Sequence, residues 1–318
     1  MKILVTGGGG FAGLHLLREL LREESIELLA TVLGDTDAVS AVEEFSSVTW
    51  LSMDVRSDES VEQVIDHSRP DIIYHLAGQA SVGESFEEPL RTWEINATGT
   101  LRVINALGRL SRSRRRLLLI SSAEVYGAVD PAEQPIAETA PLKPVTPYGS
   151  SKAAAELAVL QMGPVVGVEV VVARSFNHIG PGQDERFVLP SMALQLARMR
   201  SESADDLTVH VGNLEVERDF LDVRDVVRAY VQLVGEGDAG RVYNVCSGSA
   251  QSLLSVVQRL VELSGTGVRL EVDPDRLRPI DVPLLVGDCR ALTRLGWKPS
   301  IGLDETLRDL LREAEGRA

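Results

Sequence analysis

The stretch "KILVTGGGGFAG", Lys2 to Gly13, decides the fold. "KILVT" is a continuous apolar run, the pattern of a strand buried on both faces of a parallel sheet. Glycines follow at positions 7, 10 and 13, a GxxGxxG spacing. Leu14, Leu17 and Leu21 then recur at helical period. Strand, glycine turn and helix in that order make an anion site. Glycine allows the tight turn and lets backbone amides approach a charged group, and the helix N-terminus faces it. A plain flexible turn is the competing reading. Gly7, Gly10, Phe11, Ala12 and Gly13 are therefore expected to hold the pyrophosphate of a dinucleotide.

Working outward, the first half alternates strand and helix. "IELLATVL" and "VTWLSMD" read as the second and third strands. "DESVEQVIDHS" is a helix and "DIIYHLAG" the fourth strand. One long helix is expected from about Glu87 to Leu110, then "RLLLISS" as the fifth strand. A helix from Tyr148 to Met162 leads to "VEVVVARS". This rhythm predicts an α/β, Rossmann-like doubly wound parallel sheet, with its ligand crevice at the carboxyl ends of the strands. After Arg174 the rhythm loosens. Residues 1–174 are read as the NAD(P)-binding unit, with later segments returning to it, and 175–318 as a smaller mixed α/β lobe for the substrate.

Apolar residues form 44% of the 318-residue chain, enough for a substantial core. The formal net charge of −15 argues against nucleic acid or an anionic membrane as partner. A run of eighteen apolar residues is absent and the N-terminus lacks signal-peptide architecture, so a cytoplasmic protein is expected. Cys246 and Cys289 lie far apart without metal-ligand spacing; they read as reduced thiols, and no metal is expected. The basic run "SRSRRR", Ser111 to Arg116, reads as a solvated connector.

"HLAGQ", ending at Gln79, closes the fourth strand at the same sheet edge, where Leu76, Ala77 and Gly78 let a flat cofactor lie close. Asp54 ends the third strand, where it is expected to accept a hydrogen bond from an adenine amino group or to cap a helix; Val55 beside it joins the cofactor set. An acid ending the second strand would favour NADH, but Val32 stands there and Asp35 comes late. The cofactor is read as NADPH or NADH, with NADPH preferred.

"LISSAEVYG" ends the fifth strand and "PYGSSKAAAE" opens the next helix. Tyr148 and Lys152 are one helical turn apart and share a face. A neighbouring ammonium is expected to lower the phenol's pKa toward neutrality. Ser122 hydrogen-bonds the same substrate oxygen. The three move a proton on or off a carbinol oxygen while hydride moves on carbon.

These motifs, "TGGGGFAG", "HLAGQ", "SSAEVYG", "YGSSK" and "RDFLDVRDVVRAY", resemble an extended short-chain dehydrogenase/reductase acting on nucleotide sugars. Within that family, "RSFNHIGPGQ", "VGNLEVERDFLDVRD", "VYNVCSG" and "DPDRLRPIDVPLLVGD" resemble the GDP-4-keto-6-deoxy-D-mannose reductases, which make GDP-D-rhamnose. The resemblance implies that Asn177, Arg218 and Arg278 hold the sugar nucleotide's diphosphate or ribose, with Val188 a further substrate contact. It implies a GDP-linked sugar as partner and a homodimer formed through the helices flanking the fourth and fifth strands. GDP-mannose 4,6-dehydratases are near relatives. Glu124 matches their base, while Ala123 stands where some of them carry an acid. Alanine cannot move a proton, so the reductase is favoured, with a dehydratase or epimerase of the same family as the alternative.

Overall fold

A computed structural model describes residues 1–23, 25–111, 115–202, 208–277 and 280–317. The first half runs β1 (Lys2–Thr6), α1 (Phe11–Leu20), β2 (Glu27–Val32), α2 (Asp37–Ser40), β3 (Thr49–Ser52), α3 (Asp58–Ser68) and β4 (Ile72–His75). It continues through α4 (Val82–Glu87), α5 (Pro89–Trp93), α6 (Gly99–Arg109), β5 (Arg116–Ser122), α7 (Pro147–Val166) and β6 (Glu169–Ser175). Then come β7 (Asn177–Ile179), α8 (Val188–Glu202), β8 (Thr208–Val211), β9 (Glu217–Asp222), α9 (Val223–Glu236) and β10 (Val242–Val245). The chain ends with β11 (Ala250–Ser252), α10 (Leu253–Ser264), β12 (Arg269–Val272), β13 (Leu284–Leu285), α11 (Arg290–Arg294) and α12 (Leu303–Arg317).

Seven strands form one parallel sheet in the order β10-β6-β5-β4-β1-β2-β3. The six strands other than β3 are largely buried on both faces, which is why they read as apolar runs rather than alternating. Ile3 and Val5 pack under α1 and α9 with Leu16, Leu17, Val226 and Tyr230. Leu4 faces the opposite way, onto α3, α6 and α7 with Val61, Ile104 and Val159. The order reverses between β1 and β4, so their carboxyl ends flank a crevice. Beyond β6, β11, β9 and β13 form a second sheet with β7, and β12 pairs with β8. Helices α8, α10 and α12 share a separate core there, with Leu189, Val256 and Leu310 among its members. β10 does not stay with this group. It pairs in parallel with β6, Val242 opposite Val172, and extends the first sheet.

The expected single helix from Glu87 to Leu110 is broken. Glu88 has φ −125° and ψ 64°, outside helical space, and Pro89 opens the next helix. The residue before a proline is driven from the helical region by its ring. Glu94–Thr98 then forms a π-helical turn that runs into α6. Arg115 and Arg116 also correct the reading of a solvated connector. Arg115 Nη1 donates to the carbonyl of Leu110 at 2.9 Å and Nη2 to that of Val166 at 3.1 Å, closing the ends of α6 and α7. Arg116 is buried at the start of β5, donating to Glu169 Oε2 at 3.1 Å and to the carbonyl of Gly237. Residues 112–114 of that run lie outside the described residues.

Among the described residues no helix is long and apolar enough to cross a membrane.

Candidate active site

The glycine turn is shaped by what a side chain would strike. Gly7 sits at φ 69°, and a Cβ there would come within 2.8 Å of the backbone N and Cα of Ala77. A Cβ on Gly13 would lie 2.5 Å from the carbonyl oxygen of Gly7. The first strand, the "HLAGQ" segment and α1 therefore converge as closely as backbones allow. Gly7, Gly10, Phe11, Ala12 and Gly13 line one end of a cavity of about 590 Å³. Leu76, Ala77 and Gly78 form its adjoining wall. That cradle fits the pyrophosphate and flat rings of a dinucleotide.

Asp54 and Val55 lie outside this cavity wall. Asp54 pairs with Arg56, Oδ2 to Nη2 at 2.7 Å, and this arginine holds its carboxyl below the usual range. Val55 is buried beneath Gly99, where a Cβ would approach its Cγ2 to 2.9 Å.

The opposite end of the cavity holds Ser122, Tyr148 and Lys152, the set expected to move the proton. Thr146 caps α7 by accepting from the backbone N of Gly149 at 3.0 Å, and Pro147 opens the helix. Tyr148 and Lys152 thus enter the cavity from the helix's first turns, and Ser122 from the end of β5. Ser122 Oγ accepts from the Glu124 backbone N at 3.2 Å, with the Tyr148 hydroxyl nearby. Lys152 Nζ donates to the carbonyl of Ile120 at 2.9 Å and lies 6.0 Å from the Tyr148 ring centre.

The expected pKa of Tyr148 is corrected here. Burial pushes the phenol up to about 12; the Ser122 hydrogen bond lowers it, and the Glu124 carboxylate raises it further. The ammonium, occupied with Ile120, does not reverse this. Burial also lowers Lys152 to about 8. Tyr148 therefore keeps its proton throughout the neutral range, the state that a proton donor needs.

Buried polar contacts that the sequence reading missed fix these elements. Asn96, in the π-helical turn, accepts from the Gln79 backbone N at 2.9 Å and donates to Ser151 Oγ at 3.0 Å. It ties the segment after β4 to α7. His75 Nδ1 meets Thr6 Oγ1 at 2.7 Å and Nε2 meets Thr100 Oγ1 at 3.0 Å. Burial pushes its pKa down to about 3, so it is a neutral spacer. Farther along α7, Glu156 is ion-paired with Arg174 and accepts from Ser121 Oγ at 3.0 Å. Arg174 also donates to Tyr126 Oη at 2.9 Å. The helix bearing Tyr148 is thereby locked to β5 and β6.

The "NHIGPGQ" loop is pinned at both sides. His15 Nε2 donates to the carbonyl of Pro181 at 2.8 Å, and the Gly182 N–H donates to Glu313 Oε2 at 2.8 Å. His178 stacks on Phe11 with ring centres 6.0 Å apart and 8° between planes. Asn177 lines the first cavity and a second, of about 960 Å³. Val188 and Arg218 line the second. Arg218 is buried and donates to Asp281 Oδ1 at 2.6 Å. Arg186, Arg198 and Arg276 join it on that wall, from positions the motifs did not single out. Arg278 lies outside the described residues. Among the described residues no group of three or more His, Cys, Asp or Glu could hold a metal ion. Cys246 and Cys289 are free, and they are brought side by side despite their separation in sequence.

Comparison with known proteins agrees with this geometry. The family described as GDP-mannose 4,6 dehydratase matches residues 4–310. GDP-6-deoxy-D-mannose reductase of Pseudomonas aeruginosa is 43% identical, covering 99% of this chain and 98% of its own. The solved structure of RMD from Pseudomonas aeruginosa complexed with NADPH superposes with a TM-score of 0.85 at 37% identity, over 100% and 99% of the two chains. Thermus thermophilus UDP-glucose 4-epimerase, solved with NAD, gives a TM-score of 0.87 at 29% identity over 100% of both. The fold is shared with these solved structures, and the chain belongs to the GDP-mannose 4,6-dehydratase family of extended short-chain dehydrogenases/reductases.

Proposed function

We propose that this protein reduces the C4 ketone of GDP-4-keto-6-deoxy-D-mannose to give GDP-D-rhamnose, using NADPH or NADH. The observation that carries this reading is the shared cavity of the Gly7–Gly13 turn and the Ser122, Tyr148 and Lys152 set, with no acid at Ala123. The reductase relative and the NADPH bound to RMD support the substrate and cofactor. The glycine turn and the Leu76–Gly78 segment hold the dinucleotide, whose reduced nicotinamide supplies hydride when bound. Ser122 donates to the ketone oxygen and Tyr148 gives the resulting alkoxide its proton. Lys152 offsets the charge left on the phenolate. Arg218 and Asn177 hold the diphosphate, arginine doing so with paired donors, and Val188 borders them; Arg278 is assigned the same task. Residues 1–174, rejoined by β10, serve as the cofactor unit, and the rest carries the sugar nucleotide.

The test is the absorbance of the reduced nicotinamide band. Loss of the band with the keto sugar, and none with GDP-mannose, is the expected result. Conversion of GDP-mannose into a keto product without net loss would make the protein a dehydratase with Glu124 as base. The pH profile follows from Lys152. Its ammonium is protonated below about 8 and lost above it. Since Tyr148 stays protonated, kcat/KM is expected to fall as pH rises past that value, about tenfold per unit. A profile flat to pH 10 would remove Lys152 from the proton-transfer set.

The proposal includes a cytoplasmic homodimer. The two free cysteines support the reducing compartment. Large apolar side chains lie open on the two helices expected at the interface: Leu90 is 86% exposed on α5 and Leu157 is 60% exposed on α7. Light scattering is expected to give twice the chain mass, and a Leu157→Glu variant the single mass. A wild-type monomer at micromolar concentration would reject the dimer.

A further inference from the structure

Two buried acceptors in the reaction cavity have no partner. Gln79 and Gln183 are 8% and 7% exposed, and both line the first cavity. Their Oε1 atoms receive no hydrogen bond. The orientation of each carboxamide is fixed by its other end. Gln79 Nε2 donates to the carbonyl of Ser81 at 2.7 Å, and Gln183 Nε2 donates to that of His178 at 3.1 Å. A carbonyl accepts only, so neither group can flip without facing oxygen to oxygen. Buried polar atoms are normally paired, and an orphaned one calls for a ligand's donor.

The positions narrow the ligand. Ser81, to which Gln79 is tied, lines the second cavity; so do Glu185 and Arg186, just beyond Gln183. Both glutamines therefore stand near the seam between the cavities, where Asn177 also lies. On the reductase reading, which this inference deepens, the hexose occupies that seam, with its ketone toward Ser122 and Tyr148 and its diphosphate toward Arg218. A hexose carries hydroxyl donors on the remaining ring positions. A ketone oxygen has none to offer and is repelled by an acceptor.

We propose that Gln79 and Gln183 read the ring hydroxyls of the hexose through their Oε1 atoms, so that the sugar is oriented by an acceptor end opposite the donor end formed by Ser122 and Tyr148. Wrongly turned, the ring would set its ketone oxygen against two acceptors.

The test titrates the cofactor-loaded enzyme with GDP-D-rhamnose and with its 2-deoxy and 3-deoxy forms. Wild type is expected to bind at least one deoxy form about tenfold or more weakly, since a buried acceptor is then left unpaired. Gln79→Met and Gln183→Met are each expected to weaken the parent sugar similarly and to lose discrimination against one deoxy form, with dinucleotide affinity unchanged. Equal binding of all three sugars to wild type would overturn the proposal, and this decides it even if a variant fails to fold. Weakened dinucleotide binding in the variants would also overturn it, by assigning the oxygens to the cofactor. A wild type that neither binds these sugars nor oxidises cofactor with the keto sugar would sink the reductase reading itself, a result distinct from turnover without hydroxyl dependence.

Discussion

A Tyr148→Phe variant is expected to lose about 10²- to 10⁴-fold in kcat/KM while binding the dinucleotide as wild type does. The change removes one hydroxyl and leaves the ring in its buried place. On the proposed reading three groups with exchangeable protons face the ketone, and their surroundings differ. Lys152 is committed to the Ile120 carbonyl at 2.9 Å. Ser122 accepts from the Glu124 amide, and its aliphatic hydroxyl is a weaker acid than the phenol. Tyr148 alone combines direct access with a pKa pushed up to about 12, which keeps its proton available at any working pH. Stopped-flow measurement of nicotinamide oxidation and a fluorescence titration of cofactor binding check the two halves. Retention of turnover by the Phe variant would hand the proton to another group. A Glu124→Gln variant then identifies the chemistry. A reductase keeps most of its rate, whereas a dehydratase that needs this carboxylate as base loses it.

The largest effect on stability is expected from Arg174→Leu. Glu156 is 1% exposed, and Arg174 is its ion-pair partner through three contacts. Removing the guanidinium leaves a buried carboxylate with Ser121 as its remaining donor at 3.0 Å. Breaking a buried pair by taking one partner typically costs about 3–5 kcal/mol. Tyr126 Oη and the carbonyl of Glu138 lose their donor too. Replacing both charges, Glu156→Leu with Arg174→Leu, is expected to recover much of that loss, because the desolvated charge itself disappears. Denaturant unfolding of the single and double variants measures this. A single variant within about 1 kcal/mol of wild type would show that water reaches the pair.

The parts legible in the sequence share a physical cause: they are local. Continuous apolar runs gave away buried parallel strands, and Gly13 is forced by the carbonyl of Gly7 in the same turn, although Gly7 itself is forced by Ala77 after β4. Tyr148, Lys152 and Ser122 are marked by helical spacing and by a strand end. What escaped depends on partners remote in the chain. Arg115 and Arg116 look solvated in a basic run, yet their carbonyl acceptors include Val166 and Gly237. Arg218 donates to Asp281, 63 residues further along the chain. The direction of the Tyr148 shift depended on burial and on Glu124, neither of which helical spacing encodes. The π-helical turn at Asn96 has no periodicity to betray it, and the break at Pro89, whose signal is present in the sequence, is passed over by the expected single helix.

The late return of β10 to the first sheet sets an order on biogenesis. Until Val245 has been synthesised, β6 is an open edge with unpaired amides and carbonyls. Until α9 has been made, Tyr74, Leu118 and Val171 lack the helix that covers their side of the sheet. A nascent or truncated chain ending at residue 174 therefore presents both an unpaired strand and a bare apolar face, the two features that drive aggregation. The first sheet cannot be obtained intact by cutting the chain at that point. An autonomous version would need residues 223–245 spliced back behind β6.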